Sequence, residues 1–362
     1  MTLEDWGWNE IRSAEFAEYE HEGWKPGRVI RPGRGIYRIA GISRKEDGLG
    51  KIEEKDARLS GKSLSRGMSP AAGDWVAWRE EGGTSVIGAV LPRKTVISRK
   101  AAGVSSRQQI MGVNVDVLFI VQGLGGGRSF TPGGLERYVT IAWESGCWPV
   151  VLLNKADLSK DPAADLISGK TAAPGVDILL CSTLTGEGIE ELKTLLPPRQ
   201  TGAFIGPSGA GKSSIINAAA GSLLADTGEV REIDSRGRHT TTHRELHLLE
   251  DGRLLMDTPG LRELQLWGDA DSADAAFPEI DALASECRFN NCSHESEPGC
   301  AVKAGLDEGL ITPERYNSWI GLRRELIWLE SRRDEKAKKE LEQKWMNISR
   351  LSRQIKKGTE VW

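Results

Sequence analysis

Residues 206–213 of this 362-residue chain have the sequence GPSGAGKS and fit the pattern G-x-x-x-x-G-K-S of a phosphate-binding loop. An apolar segment, 203–205, precedes the loop and a segment with helical periodicity, 212–220, follows it, as such a loop requires. Glycines let backbone N–H groups surround phosphate oxygens, Lys212 can reach the β- and γ-phosphates, and the Ser213 hydroxyl can bind Mg²⁺. The pattern therefore predicts a nucleoside triphosphate site; a glycine-rich turn before a structural helix is the weaker alternative. The predicted nucleotide-binding residues of this loop are Gly206, Pro207, Ser208, Gly209, Ala210, Gly211, Lys212, Ser213 and Ser214.

The tetrapeptide Asn154-Lys155-Ala156-Asp157, at the end of another apolar run, predicts which base is bound. An aspartate can accept hydrogen bonds from both N1–H and N2–H₂ of guanine, which adenine lacks, so a buried pair of this kind discriminates strongly. Lys155 can pack its stem along the base and Asn154 can hold the loop. Ser182 and Thr183, after the next apolar run, resemble the loop that closes over the guanine O6. Alone, the tetrapeptide could be a simple strand-to-turn connection; with the second loop it indicates guanine.

A third group of residues could sense and hydrolyse the γ-phosphate. Asp257 and Gly260, in the sequence DTPG, are predicted to hold Mg²⁺ through water and to meet the γ-phosphate with a backbone N–H. Among three consecutive threonines, Thr241 is the preferred Mg²⁺ ligand. The position after DTPG is Leu261, which cannot orient water, so either hydrolysis is slow or another group, such as His239, moves in; a loop histidine without a role is the alternative. The predicted catalytic residues are Lys212, Thr241 and His239, and the predicted Mg²⁺ ligands are Ser213, Thr241 and Asp257.

The order of these motifs is unusual, because the NKAD tetrapeptide precedes the phosphate loop. In an ordinary small GTPase the phosphate loop opens the domain and NKxD follows much later. The sequence therefore predicts a GTPase domain that has been circularly permuted.

A separate cluster has the types and spacing of a metal site. Cys287, Cys292, His294 and Cys300 form C-x4-C-x-H-x5-C. Three thiolates and one imidazole complete a tetrahedral Zn²⁺ shell with no open position, so the predicted site is structural. Small buried cysteines are the alternative. Five cysteines, an odd number with three clustered, fit a reducing cytoplasm better than a disulfide framework.

The elements that position these residues follow from the alternation of strand and helix signals between 115 and 220, which predicts a mainly parallel sheet covered by helices. Short strands between 27 and 91 predict a small β-barrel, most simply an OB-fold; another small β-domain without a ligand is the alternative. Arg99 to Gly103 is predicted to be a linker. The predicted order is an N-terminal extension (1–23), an OB-fold-like basic β-barrel (24–98), a circularly permuted P-loop GTPase domain (99–265), a zinc-binding helical domain (266–330) and a basic helical tail (331–362).

Charge is distributed unevenly, although the net charge is only −4. Basic residues outnumber acidic ones by twelve to five between Trp24 and Arg66, and by ten to four between Ser331 and Lys357. Two basic segments around a nucleotide-binding core suggest a polyanionic partner, although a solvated face is the commoner explanation. The acidic N-terminus and the lack of any run near 18 apolar residues predict a cytoplasmic protein with no membrane partner.

Together these motifs resemble the RsgA (also called YjeQ) family of ribosome small subunit-dependent GTPases over most of the chain. The resemblance implies GTP and GDP as ligands, Mg²⁺, one structural Zn²⁺, and the 30S ribosomal subunit with its 16S rRNA as partners of a monomer. It also implies that the subunit stimulates GTP hydrolysis during late subunit assembly. From the residues alone, a GTP-binding RNA scaffold without turnover and a GTPase acting on a non-ribosomal partner remain alternatives. Met1–Gly23 and the tail after Ser331 lie outside the resemblance.

Overall fold

The computed structural model describes residues 1–43, 51–100, 108–125, 130–225, 244–257, 274, 276–289, 292–294 and 297–326. The described residues divide into two compact units. One consists of residues from 1–99 and 109–265, and the other of residues from 100–108 and 266–362. Within the described parts of the chain, no helix has both the length and the apolarity needed to cross a membrane.

The N-terminal segment, for which the sequence suggested no structure, folds into two helices. A 3₁₀ helix covers Glu4–Trp6, and helix α1 covers Glu10–Glu20. The Asn9 side chain caps α1 by accepting a hydrogen bond from the Arg12 N–H at 3.1 Å. Trp6 and Phe16 are buried, and Trp8 contacts Trp75 edge to face with 4.9 Å between ring centroids. The extension is therefore part of the first unit's core.

A closed β-barrel follows this segment. Its elements are β1 (Lys25–Arg31), β2 (Tyr37–Ser43), β3 (Lys51–Leu59), helix α2 (Gly61–Ser65), β4 (Trp75–Glu81) and β5 (Thr84–Val90). The strand order is β1-β2-β3-β5-β4, and β1 pairs with β4 to close the barrel. Alternate residues such as Tyr37 and Ile39 point inward and pack with Val76, Trp78 and Ile87. Closure leaves no free sheet edge, and the predicted OB-like barrel is confirmed.

The rest of the first unit contains the nucleotide-binding motifs. Its elements are β6 (Val96–Lys100), β7 (Gln108–Val113), β8 (Val117–Gly123), α3 (Pro132–Glu144), β9 (Trp148–Asn154), α4 (Pro162–Ala172), β10 (Asp177–Cys181), α5 (Ile189–Thr194), β11 (Thr201–Ile205), α6 (Lys212–Ala220), β12 (Glu245–Leu248) and β13 (Leu254–Asp257). Strands β6 and β7 form a two-stranded sheet. The predicted linker at Arg99 is wrong at its start, because β6 runs through Arg99 and Lys100; residues 101–103 lie outside the described part.

The large sheet has the order β10-β9-β8-β11-β13-β12. All neighbours are parallel except β12 and β13, which form an antiparallel hairpin. Strands β8 and β11 are buried almost throughout, which explains their continuous apolar sequences. The sheet confirms the predicted α/β class. Because parallel strands end at the same edge, the segments after β9, β10, β11 and β13 meet there.

The second unit is helical, as predicted. Its helices are α7 (Pro278–Ser285), α8 (Ala301–Asp307) and α9 (313–326). Trp319 is fully buried, and Arg315 ties α9 to α7 through Glu279, with 2.6 Å between Nε and Oε1. Thr312 precedes α9, and its hydroxyl accepts from the Arg315 N–H at 3.3 Å. The predicted basic tail, 331–362, lies outside the described residues.

Candidate nucleotide site and cysteine–histidine cluster

The phosphate loop joins β11 to α6, and glycines permit its close turns. Gly206 and Gly211 have φ values of 140° and 95°, in the region that side chains disfavour. A Cβ at Gly206 would overlap the Val121 carbonyl, and one at Gly211 would overlap the Asn154 amide. The Lys212 ammonium donates to the carbonyls of Gly206 and Pro207 at 2.8 and 2.7 Å. The loop therefore curls over its own lysine at the start of α6, where N–H groups can bind phosphate.

The NKAD segment lies against this loop although 56 residues separate Asn154 from Ala210. The buried Asn154 amide donates to the Ala210 carbonyl at 2.8 Å, and the Lys155 ammonium donates to the Gly209 carbonyl at 2.7 Å. Lys155 has φ of 65°, a left-handed conformation that aims its side chain across the loop. Two hydrogen bonds thus join the predicted base-binding and phosphate-binding segments into one structure.

Asp157 and Ser182 meet where β9 and β10 end. The Ser182 hydroxyl donates to Asp157 Oδ1 at 2.5 Å and accepts from the N–H groups of Leu184 and Thr185 at 3.2 and 3.3 Å. Ser182 is fully buried, whereas Asp157 and Thr183 are exposed. The serine therefore orients an accessible carboxylate, which is the group needed to accept both donors of a guanine.

The remaining predicted site residues fall into three groups. Ser213, in the first turn of α6, and Asp257, at the end of β13, are half-buried at the same sheet edge. Ser208, Gly209 and Ser214 are in or beside the phosphate loop. Thr241, His239 and Gly260, like Leu261, lie outside the described residues, so their predicted roles stay predictions.

One residue at this edge escaped the sequence analysis. Gly123 ends β8 directly beneath the phosphate loop, and a Cβ there would lie 3.3 Å from the Ala210 Cα. A larger residue would press against the loop. The available signal was a glycine at the end of the longest apolar run, which marks a close backbone approach.

The cysteine–histidine cluster lies in the second unit. Cys287 follows α7, and Cys300 caps α8 by accepting from the Lys303 N–H at 3.4 Å. Cys287 Sγ lies 3.5 Å from His294 Nδ1 and 3.9 Å from Cys300 Sγ, and Cys300 Sγ lies 3.7 Å from His294 Nδ1. All four ligand atoms, including that of Cys292, lie within 4.8 Å of one another.

These distances fit a tetrahedral metal ion. Zn–S bonds of about 2.3 Å and Zn–N bonds of about 2.0–2.1 Å place two sulfurs about 3.8 Å apart, and a sulfur and a nitrogen about 3.5 Å apart. The sulfur separation is too long for a disulfide of about 2.05 Å, and the cysteines are free. The Cys₃His cluster is therefore compatible with zinc.

The surroundings shift the pKa values of the cluster's ligands in different directions, and burial raises the pKa of Cys292 to about 11. Burial alone would raise the pKa of the Cys287 thiol, but hydrogen bonds from the N–H groups of Val302 and Ala301, together with those of the Cys300 and Cys292 thiols, leave that pKa below its ordinary value. Burial lowers the pKa of His294, which favours the neutral imidazole that metals bind. The Tyr316 hydroxyl donates to the His294 carbonyl at 2.8 Å and holds this residue, whose φ is 62°.

Comparisons with known proteins agree with this architecture. A family described as RsgA GTPase matches residues 90–267. The small ribosomal subunit biogenesis GTPase RsgA of Opitutus terrae is 39% identical over 360 residues, which cover 96% of each chain. The small ribosomal subunit biogenesis GTPase RsgA 2 of Lactiplantibacillus plantarum is 41% identical over 322 residues, covering 86% of this chain and 87% of the relative.

A solved structure shows the same fold. The crystal structure of YjeQ from Thermotoga maritima superposes with a TM-score of 0.64 at 25% identity, covering 84% of this chain and 99% of the other. The relative from Opitutus terrae aligns over nearly the full length of this chain. The chain therefore belongs to the RsgA GTPase family and is a GTP-hydrolysing enzyme.

Proposed function

We propose that this GTPase binds the small (30S) ribosomal subunit, assists its late maturation, and hydrolyses GTP to GDP and phosphate faster on the subunit than alone. Relatives that carry the small-subunit biogenesis name align over almost the whole chain. The observation that carries the proposal is that a barrel of a nucleic-acid-binding type and the guanine nucleotide site belong to one compact unit. Small-subunit maturation would place the protein in the cytoplasm, and we propose that it acts as a monomer.

The nucleotide roles follow from the geometry of the loops. Asp157, oriented by Ser182, selects guanine, and Asn154 and Lys155 hold the base segment against the phosphate loop. Lys212 and the N-terminal N–H groups of α6 stabilise the phosphates. Ser213 and Asp257 are placed to hold Mg²⁺, with Thr241 as the third ligand. The ion would neutralise phosphate charge during transfer.

Hydrolysis in such a site depends on positioning and electrostatics more than on covalent chemistry. The described part of the site supplies cationic and N–H groups around the phosphates, and His239 is the proposed residue that orients water. Leu261 has no hydrogen-bonding group, so we expect slow turnover until the subunit completes the site. The predicted zinc ion, held by Cys287, Cys292, His294 and Cys300, would stabilise the second unit and take no part in hydrolysis.

The α2 patch, defined as Arg58, Lys62 and Arg66, is the proposed contact with 16S rRNA phosphates. All three side chains are exposed, and no described acidic group pairs with them. Arg38, by contrast, lies 3.7 Å from Glu54 and 3.6 Å from Asp56, so part of its charge is already balanced. Unpaired cations on a nucleic-acid-binding type of barrel are available for phosphate.

Measuring GTP turnover alone, with 30S subunits and with 50S subunits tests the proposal. We expect strong acceleration by 30S subunits only, and none in a Lys212→Ala variant. Equal rates with and without subunits would contradict the proposal and favour a GTP-binding scaffold. Equal acceleration by both subunits would indicate a nonspecific RNA effect.

A further inference from the structure

Arg28 of barrel strand β1 joins three segments of the first unit. Its Nη2 donates to the Thr201 hydroxyl at 2.8 Å and to the Asn114 carbonyl at 3.2 Å, and its Nη1 donates to the Trp6 carbonyl. Only 2% of Arg28 is exposed. One guanidinium therefore links the barrel, the N-terminal extension and the first residue of β11.

Burial of the Arg28 guanidinium carries a large desolvation penalty. No described carboxylate forms an ion pair with Arg28, and its Nε lacks a hydrogen-bond partner among the described residues. Burial lowers its pKa to about 10, which still leaves it charged at neutral pH, and it lies 5.2 Å from the Trp75 ring centroid. The charges of Asp116 and Asp74 offset only part of the penalty for burying this cation, so its presence suggests a role other than stability.

Thr201 gives this contact a route to the nucleotide. It begins β11, whose five residues are all buried and lead directly into Gly206 of the phosphate loop. The Thr201 N–H also donates to Asp116 Oδ2 at 2.7 Å, and the Thr201 carbonyl accepts from the Asp116 N–H at 2.8 Å. The backbone of Thr201 is thus held by the sheet, and its side chain by the barrel. A short buried strand between parallel neighbours moves as a rigid element.

Hydrogen bonds rather than dense packing make this connection. A cavity of about 320 Å³ lies beside Arg28, lined by residues that include Trp8, Lys94, Asn114 and Arg199. Side chains around a cavity lack the close contacts that hold an ordinary core in one arrangement. The cavity therefore leaves the Arg28 side chain room to rearrange.

We propose that Arg28 is a positioning residue that couples the barrel to the phosphate loop through the Thr201 hydroxyl. The inference rests on the proposed ribosomal function, because the barrel must be engaged by the subunit for the coupling to act. Engagement of the barrel displaces β1, the Arg28–Thr201 hydrogen bond carries that displacement to β11, and the phosphate loop at the other end of β11 adjusts its grip on the phosphates.

A Thr201→Val variant tests the coupling, since valine keeps the shape of threonine but cannot accept a hydrogen bond. We expect intrinsic GTP turnover within twofold of wild type, an unchanged half-saturating concentration of 30S subunits, and at least fivefold lower maximal stimulation. Thr201→Ser, which keeps the hydroxyl, should restore stimulation. An unchanged affinity for the subunit together with a lower maximal rate would show that the variant still binds the subunit but transmits its effect poorly.

Arg12 provides a matched control. It is also 2% exposed and donates to Asn114 Oδ1 at 2.7 Å and to the Pro92 carbonyl at 2.6 Å, but it does not bond to β11. Arg12→Lys should lower thermal stability and leave the stimulation ratio unchanged. The inference would be overturned if 30S subunits stimulated Thr201→Val as strongly as wild type. It would also be overturned if Arg12→Lys lost as much stimulation as a Thr201→Val variant of the same thermal stability. Either result would leave the proposed function intact. An unstimulated wild-type protein would overturn both.

Discussion

Asp157 shows how one carboxylate at the residue scale can choose a ligand. Its Oδ1 accepts from the Ser182 hydroxyl, which fixes the side chain where β9 and β10 end. Changing Asp157 to Asn replaces an acceptor pair by a mixed amide. We expect at least about tenfold weaker GTP binding, because a hydrogen bond to a charged group contributes about 1.5–3 kcal/mol, and a shift of preference toward xanthosine triphosphate, which carries an acceptor at the 2-position.

Competition binding of guanine and xanthine nucleotides measures this shift. Asp165→Asn is the matched control, because Asp165 also accepts from a serine hydroxyl, that of Ser159 at 2.5 Å, but is not among the predicted nucleotide ligands. Unchanged selectivity in Asp157→Asn, or an equal change in Asp165→Asn, would remove Asp157 from the base site.

Gly211 tests the contact between the two nucleotide segments. Gly211→Ala would place a Cβ against the Asn154 amide and impose φ of 95° on an alanine. We expect nucleotide affinity to fall more than tenfold, measured by equilibrium binding of a fluorescent GDP. Gly221→Ala, at the end of α6 with φ of 66° and open space, should lose roughly 1–2 kcal/mol of stability from strain alone and keep its affinity. Equal affinity of both variants would show that the contact is unimportant.

At this scale the sequence predicted the motif residues, because their types and spacing follow from phosphate and guanine chemistry. It did not predict that Asn154 would donate to Ala210, since that contact exists only after β9 and β11 enter one sheet. Arg28 is a clearer case. It is one of twelve basic residues in its segment, and nothing in the local sequence predicts that it is buried. Only the fold distinguishes it from the other eleven.

At the scale of elements, the Cys₃His cluster organises a unit of short helices. Cys287 and Cys300 lie at the two ends of the loop before α8. Helix α8 is only seven residues long, and Cys300 caps its N-terminus. Helices of this length need tertiary contacts to form in water. A Cys292→Ala variant should therefore lose most bound zinc and unfold the second unit at a lower temperature, while intrinsic GTP turnover stays near wild type.

Zinc content by atomic emission and thermal unfolding with and without a chelator measure this effect. Cys147→Ala is the control, because Cys147 is a buried thiol of the first unit whose pKa burial raises to about 12, so it stays neutral. No zinc in the wild-type protein, or full zinc content in Cys292→Ala, would contradict the assignment.

Element predictions succeeded where periodicity or turn chemistry was strong. Helix α6 matches its expected span of 212–220. Helices α1 and α4 were missed, because their sequences are polar or mixed and lack a clear apolar stripe. Their caps, Asn9 and Asp161, were the available signals.

For the whole molecule, charge should govern the encounter with the subunit. Replacing Arg58, Lys62 and Arg66 of the α2 patch by Gln should weaken 30S binding and flatten its salt dependence. The slope of log affinity against log salt should fall by roughly 0.7–0.9 for each lost phosphate contact. Arg31 is left unchanged, because it lies 3.8 Å from Glu245 of β12 and so affects the nucleotide half as well.

The slope is obtained from the concentration of 30S subunits that half-saturates stimulated turnover, measured at a series of salt concentrations. Intrinsic turnover should not change. Lys160→Gln with Lys170→Gln, two exposed charges beside and on α4, is the control and should leave the slope unchanged. An unaltered slope in the α2-patch variant would show that the barrel contacts no rRNA phosphates there.

The reversed order of motifs made the permuted architecture predictable from the sequence. The packing of the N-terminal extension against the barrel was not predictable, because it depends on tertiary contacts that no local sequence pattern encodes.

The permuted strand order also affects the order in which the nucleotide site forms during translation. The base-selecting segment after β9 is synthesised before β11, which inserts beside β8, and before β13, which inserts beside β11. Roughly one hundred residues separate Asn154 from Asp257, so at about 5–20 residues per second the two are translated roughly 5–20 seconds apart. Before β11 and the phosphate loop are made, β8, β9 and β10 can pair, but Asn154 lacks its acceptor at Ala210. Guanine nucleotide can therefore stabilise only a nascent chain that already includes the phosphate loop, and the segment before that loop must fold on its own packing.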